Sequence, residues 1–164
     1  MIILSQATTK DIPIIQEIVH KTWPITYGAI LSKAQLDYMI DLMYSEASLL
    51  QQLKTRPFFF LAYNDDICLG FISCENNYLN KNVTRLHKIY ILPEAQGKGV
   101  GKVLIEKVVA IAKENQSEII SLNVNKFNKA VAFYKKMGFE IASEEDLDIG
   151  NGYLMEDYKM ELKI

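Results

Sequence analysis

Residues 96–102 read Gln96-Gly97-Lys98-Gly99-Val100-Gly101-Lys102, three glycines at alternate positions with apolar sequence on both sides. Upstream, residues 84–91 carry a strand pattern stopped by Pro93. Downstream, Val100, Val103, Leu104, Val108 and Ile111 recur at helical spacing. The chain must therefore pass from a strand into a helix through a turn whose backbone is bare enough to be approached closely. At a helix N-terminus the free N–H groups and the dipole form an anion site suited to a pyrophosphate, and Lys98 and Lys102 add positive charge. Two other phosphate loops are excluded by spacing. A G-x-G-x-x-G fingerprint from Gly97 needs glycine where Lys102 stands. A Walker loop ending in Gly101-Lys102 needs glycine at Gln96 and a hydroxyl at Val103.

The rest of the chain arranges itself around this turn. Residues 1–4 are an apolar run that reads as a first strand. Thr8 and Thr9 supply cap hydroxyls, Pro13 fits a first helical turn, and Ile12, Ile15, Ile18 and Val19 repeat at helical spacing until Trp23-Pro24, where the pattern predicts the helix to end. Helical segments follow over 32–43 and, more briefly, 45–53. After Pro57, apolar runs at 58–63 and 67–74 flank the turn cluster Asn64-Asp65-Asp66 and predict an antiparallel hairpin. A strand at 119–124, a helix at 126–137 stopped by Gly138-Phe139, and strands at 139–148 and 153–162 complete the order. This is an α/β chain with a mixed sheet, β-α-α-β-β-β-α-β-α-β-β with room for a third early helix, and not the regular alternation of a doubly wound fold. With 164 residues and no repeat or linker, it is read as one domain over 1–164.

Eighteen basic against twenty acidic residues argue against a nucleic-acid binder, which needs a basic excess, but are compatible with a local basic groove for an anionic small molecule. Cys68 and Cys74 lack a metal-ligand spacing and read as reduced, packed thiols. The N-terminal run has no basic leader or cleavage site, and no apolar run approaches the roughly 20 residues of a membrane span. A cytoplasmic protein without membrane or nucleic-acid partners is expected.

Gln96-x-x-Gly99-x-Gly101 resembles the Gln/Arg-x-x-Gly-x-Gly/Ala signature of the GNAT superfamily of N-acetyltransferases. The segment Leu86-His87-Lys88-Ile89-Tyr90-Ile91-Leu92-Pro93 is similar to that family's fourth strand, and Asn128-Lys129-Ala130-Val131-Ala132-Phe133-Tyr134-Lys135-Lys136-Met137-Gly138-Phe139 resembles its Asn-x-x-Ala-x-x-Phe-Tyr-x-x-x-Gly-Phe segment. The stretch 148–158, with Thr22-Trp23 and Tyr27, is similar to a bacterial subgroup that includes polyamine acetyltransferases. The resemblance implies the acyl-CoA N-acyltransferase fold and acetyl-coenzyme A as cofactor. It implies that Gln96, Gly97, Lys98, Gly99, Val100, Gly101 and Lys102 hold the pyrophosphate, that the main chain at Ile89, Tyr90 and Ile91 pairs with the pantetheine arm, and that Asn128 and Tyr134 approach the cofactor. The implied reaction moves acetyl directly to a primary amine of a polyamine-like small molecule or a peptide through a tetrahedral intermediate. A non-catalytic acyl-CoA sensor on the same fold is the alternative, and a homodimer is one expected assembly.

Such a transfer needs a deprotonated amine, a polarised carbonyl and a protonated leaving thiolate. Tyr134 matches the family acid. The carboxylate that part of the family uses as base aligns with Arg85, which cannot accept a proton. His87, on the same strand face and with an ordinary pKa near neutrality, Glu75 after the third strand, and a water chain remain three routes. Trp23, Tyr27, Tyr38 and Tyr44 with Asp37, Asp41 and Glu46 form an aromatic and acidic set suited to a cationic amine, or equally a solvated helix face with its aromatics packed inward. Trp23, Tyr27 and Glu75 are taken as acceptor-binding candidates.

Overall fold

The computed structural model describes residues 1–56 and 58–164. Pro57, the expected start of the strand-rich half, lies outside the described residues. The elements are β1 (Ile2–Gln6), α1 (Ile12–Tyr27), α2 (Lys33–Tyr44), α3 (Glu46–Thr55), β2 (Phe58–Asn64), β3 (Ile67–Glu75), β4 (Val83–Ile91), α4 (Val100–Glu114), β5 (Ile119–Asn125), α5 (Ala130–Lys136), β6 (Glu140–Gly150) and β7 (Tyr153–Lys163). Three helices precede the first hairpin, the third being the short one expected over 45–53. Ser32 caps α2 and Ser45 caps α3, each accepting from a backbone amide three residues on.

The strands form a seven-stranded sheet in the order β1-β2-β3-β4-β5-β7-β6. Every neighbouring pair is antiparallel except β4 and β5. Helices α1 to α3 cover one face, where Trp23 and Tyr44 pack on Tyr90 and Tyr44 on Phe71. Helix α4 covers the other, with Lys107 over the Phe60 ring. The tip of the β6–β7 hairpin is clamped to α2: the Tyr38 hydroxyl donates to the Ile149 carbonyl at 2.9 Å and Gln35 donates to the Leu154 carbonyl at 2.9 Å.

Two irregularities shape the centre of the sheet. The parallel pairing of β4 with β5 covers only Val83–Arg85 against Ile119–Ser121, after which the strands diverge. From Leu86 to Ile91, β4 has no strand on that side among the described residues. Arg85 bridges the vertex, donating to Ser121 Oγ at 3.1 Å and to Asn123 Oδ1 at 2.6 Å. On the other side of β4, Ser73 faces Lys88 but Cys74 faces Leu86, so His87 is an inserted residue. Such a bulge re-aims side chains, and here His87 and Lys88 reach the same cavity.

Helix α1 does not end at Trp23-Pro24 but continues to Tyr27 with Pro24 inside it. Proline there removes the bond to the His20 carbonyl, a loss of roughly 3 kcal/mol in a regular helix. His20 is exposed, so water can serve that carbonyl. Burial of Trp23 and Tyr27, 1% and 7% exposed, offsets the rest, since a large apolar side chain contributes about 1.5–3 kcal/mol. The helix expected over 126–137 is shorter, because Asn125 and Asn128 turn the chain first by accepting from the Phe127 and Ala130 amides.

Candidate active site

The glycine turn runs from the end of β4 into α4. Gly97 and Gly99 adopt φ of +79° and +83°, and a Cβ at either would meet nothing within 4 Å. They are required by backbone conformation, and the space over them is open. Gly101 serves differently from the expectation. Its φ is ordinary, it is buried, and a Cβ there would lie 2.9 Å from Phe133 Cζ and 3.1 Å from Ile91 Cδ1. It lets α4 and α5 close on the end of β4. Between Gln96, whose amide bonds Pro93, and Val103, whose amide bonds Gly99, no backbone amide has a hydrogen-bond partner among the described residues. The Gln96 side chain donates to the Ile91 carbonyl at 3.4 Å, tying the turn to the strand. Lys98 and Lys102 are exposed beside it.

Tyrosine hydroxyls gather near the open side of β4. Those of Tyr27 and Tyr90 are 3.3 Å apart, and Asn128 approaches the Tyr27 hydroxyl. The Tyr134 ring lies 5.5 Å from Phe133 and 5.8 Å from Phe139. Its hydroxyl has no hydrogen-bond partner among the described residues, and it lies close enough to Tyr27 for the two to perturb each other. Burial holds Tyr27, Tyr90 and Tyr134 above the usual phenol range, so all three remain protonated and able to donate.

The two side chains weighed as alternative bases form one pair. His87 Nε2 lies 2.7 Å from Glu75 Oε1. Burial lowers the imidazole pKa to about 4; the Glu75 bond opposes this, and the Arg56 charge adds to it. The ring is therefore neutral at neutral pH, with Nε2–H donated to Glu75 and Nδ1 left as acceptor. The ordinary histidine pKa expected from sequence does not hold, because the bulge buries the ring beside Tyr78 and near two guanidinium groups.

Of the aromatic and acidic set, Trp23 and Tyr44 are core residues, 1% and 3% exposed. Trp23 packs against Tyr27, Tyr44 and Tyr90 at centroid distances of 4.8, 5.5 and 5.6 Å, behind the site and not in it. Asp37 and Asp41 line a cavity of about 300 Å³ with His20 and Gln16.

Sequence reasoning missed two features. Asp157 is 6% exposed on β7, where burial raises its pKa, with Oδ2 3.4 Å from Asn123 Nδ2 and Oδ1 without a partner among the described residues. A second cavity, of about 430 Å³, lies between α2, α3 and the β4 bulge and holds Arg56, His87 and Lys88. Asp157 and Lys88 both belonged to quoted segments without being singled out, and Arg56 carried no local signal. Among the described residues no three His, Cys, Asp or Glu side chains cluster as a metal site.

Residues 14–139 match the model of the acetyltransferase (GNAT) family. The chain belongs to this GNAT family. It is 27% identical over 159 residues to a spermidine N(1)-acetyltransferase of Thermoplasma acidophilum, covering 93% of this chain and 94% of that protein. To an uncharacterized N-acetyltransferase of Methanocaldococcus jannaschii it is 36% identical over 77 residues, 44% of this chain, and the match spans only 34% of that protein's length. Among GNAT structures, the PaiA N-acetyltransferase of Thermoplasma acidophilum in complex with coenzyme A superposes with a TM-score of 0.83 at 27% identity, over 100% of this chain and 99% of that one.

Proposed function

We propose that this GNAT protein is an acetyl-coenzyme A-dependent N-acetyltransferase acting on a primary amine of a small molecule or peptide. The observation that carries the reading is the split between β4 and β5, opening beside a turn whose amides are free. The residues fit the cofactor. Gly97 and Gly99 leave bare backbone under open space, amides 97–102 and the α4 dipole suit a pyrophosphate, and Lys98 and Lys102 add charge. The unpaired edge at Ile89, Tyr90 and Ile91 offers main-chain groups to an extended, amide-bearing arm.

Bound acetyl-coenzyme A supplies the acetyl thioester. The chain's own groups do the rest. Backbone N–H groups of β4 polarise the carbonyl, since donors fixed in place need no reorganisation. Tyr134 Oη, protonated and without a partner, donates to the departing sulfur. His87, oriented by Glu75, accepts the amine proton at Nδ1 directly or through water. Tyr27, Asn128 and Asp157 border the same opening, and the orphan Asp157 oxygen suits an incoming ammonium. Among the described residues no helix is long and apolar enough to cross a membrane; a cytoplasmic location is part of this proposal.

Release of free thiol from acetyl-coenzyme A in the presence of an amine panel tests the reading. Thiol release with stoichiometric acetyl-amine is expected, whereas tight cofactor binding without transfer to any amine would favour the sensor on the same fold.

The base is tested by pH. A group that works unprotonated loses activity as pH falls through its pKa, so the acidic limb due to His87 is expected near pH 4 and not near 6.5. Glu75 holds the imidazole pKa up, so Glu75→Gln moves the limb lower still. His87→Gln erases it and slows the reaction. A limb unmoved in both variants assigns the proton to ordered water.

A further inference from the structure

The cavity at the β4 bulge holds positive groups facing one another. Lys88 is 7% exposed, with Nζ 4.1 Å over the Tyr44 ring, and it makes no ion pair among the described residues. Arg56, at the C-terminal end of α3, shares the cavity and is close enough to disfavour charge on both Lys88 and His87. No carboxylate lines the pocket, since Glu75 reaches it only through its bond to His87. Two polar atoms nearby are buried without partners among the described residues: Gln52 Oε1 in the wall, and Oγ of Ser73, the residue paired with Lys88. Like charges held close together, one of them buried and the other half-buried, are unfavourable until a counter-ion enters.

We propose that this cavity is an oxyanion subsite for the amine acceptor: Arg56 and Lys88 bind a carboxylate or phosphate carried by the molecule whose amine is acetylated. The inference rests on the transferase reading and narrows it. The subsite shares His87 with the candidate base, so an acceptor anchored here brings its amine toward the split strands. The preferred acceptor is then an amine that also carries an acid, in contrast to the polycation named for the Thermoplasma relative.

Anion binding should weaken as pH rises, because Lys88, whose pKa burial lowers to about 7, loses its proton. The other groups facing it are the Arg56 guanidinium, Tyr44, whose phenol burial holds protonated, and the His87–Glu75 pair, already neutral in the ring at that pH.

The test compares matched acceptors: ornithine against 1,4-diaminobutane, lysine against 1,5-diaminopentane, and phosphoethanolamine against ethanolamine. The acidic member is expected to have a kcat/KM about ten- to a hundredfold higher, the range for one or two charge-assisted hydrogen bonds. Arg56→Gln and Lys88→Met should bring that ratio close to one, and the methionine can occupy the lysine's buried volume without its charge. Which pair shows the larger ratio separates carboxylate from phosphate. Calorimetry with succinate and inorganic phosphate reads the subsite without turnover: binding that falls at least tenfold in either variant and weakens above pH 7 supports it. Diamines outcompeting amino acids, or anions bound equally by wild type and both variants, overturns it. Anion binding that depends on Arg56 and Lys88 while no amine accepts acetyl leaves the subsite standing and removes the transferase reading.

Discussion

Tyr134→Phe is expected to lower the turnover number by about 10²–10⁴-fold, the span of general acid catalysis, with cofactor affinity nearly unchanged. The substitution isolates one atom. The ring stays between Phe133 and Phe139, and the hydroxyl it removes has no hydrogen-bond partner among the described residues, so nothing in the fold depends on it. A buried phenol held above its usual pKa keeps its proton at working pH, and a departing thiolate is the stronger acceptor nearby. Rates are to be read in single turnover, where chemistry is visible. A phenylalanine variant with the full chemical rate would make Tyr134 a packing residue and give the proton to solvent.

The second large effect separates two glycines that look equivalent in sequence. Gly99→Val should abolish measurable acetyl-coenzyme A binding by calorimetry. A β-branched residue at φ +83° costs of order 1–3 kcal/mol in a solvent-exposed turn, and its side chain fills the space above the amides. Gly101→Val should act on the fold instead. Its Cβ drives into Phe133 and Ile91, overpacking costs typically 1–3 kcal/mol, and a chain of this size loses roughly 2–4 °C of Tm per kcal/mol. A Gly101→Val variant that melts with the wild type, or retained cofactor affinity in Gly99→Val, would refute this division of roles.

Much of the architecture is legible along the chain because its signals are local. Period-2 and period-3.6 patterns, the Gly138-Phe139 stop and the Asn64-Asp65-Asp66 turn each act within a few residues, and the observed strands and helices follow them. Thr8, however, caps only a short 3-10 turn, and α1 itself starts from Asp11 without the expected hydroxyl cap. The glycine turn is legible for the same reason. What was hidden depends on contacts between distant segments. Pro24 ends a helix by its local chemistry, yet burial of Trp23 and Tyr27 carries α1 through it. The inserted residue in β4 leaves no mark in the sequence. It is defined only by the register with β3, and it joins His87 to Glu75, two residues that had read as rivals. Arg56 and Lys88 belong to different elements and meet only when α3 lies over the sheet. The orphan oxygen of Asp157 is a fact about its surroundings, and no spacing rule encodes it.

The split sheet has a further consequence for what can enter it. An unpaired strand edge ordinarily invites another polypeptide, and proteins guard their outer edges against it. Here two such edges, on β4 and β5, face each other inside the molecule. An added β-strand needs roughly 4.8 Å on each side. Near the vertex, where Arg85 still ties the strands together, that width does not exist. A thin linear chain fits where a peptide with side chains does not. One geometry thus leaves hydrogen-bonding groups ready for a slender guest and keeps the same groups from nucleating aggregation with a neighbouring copy.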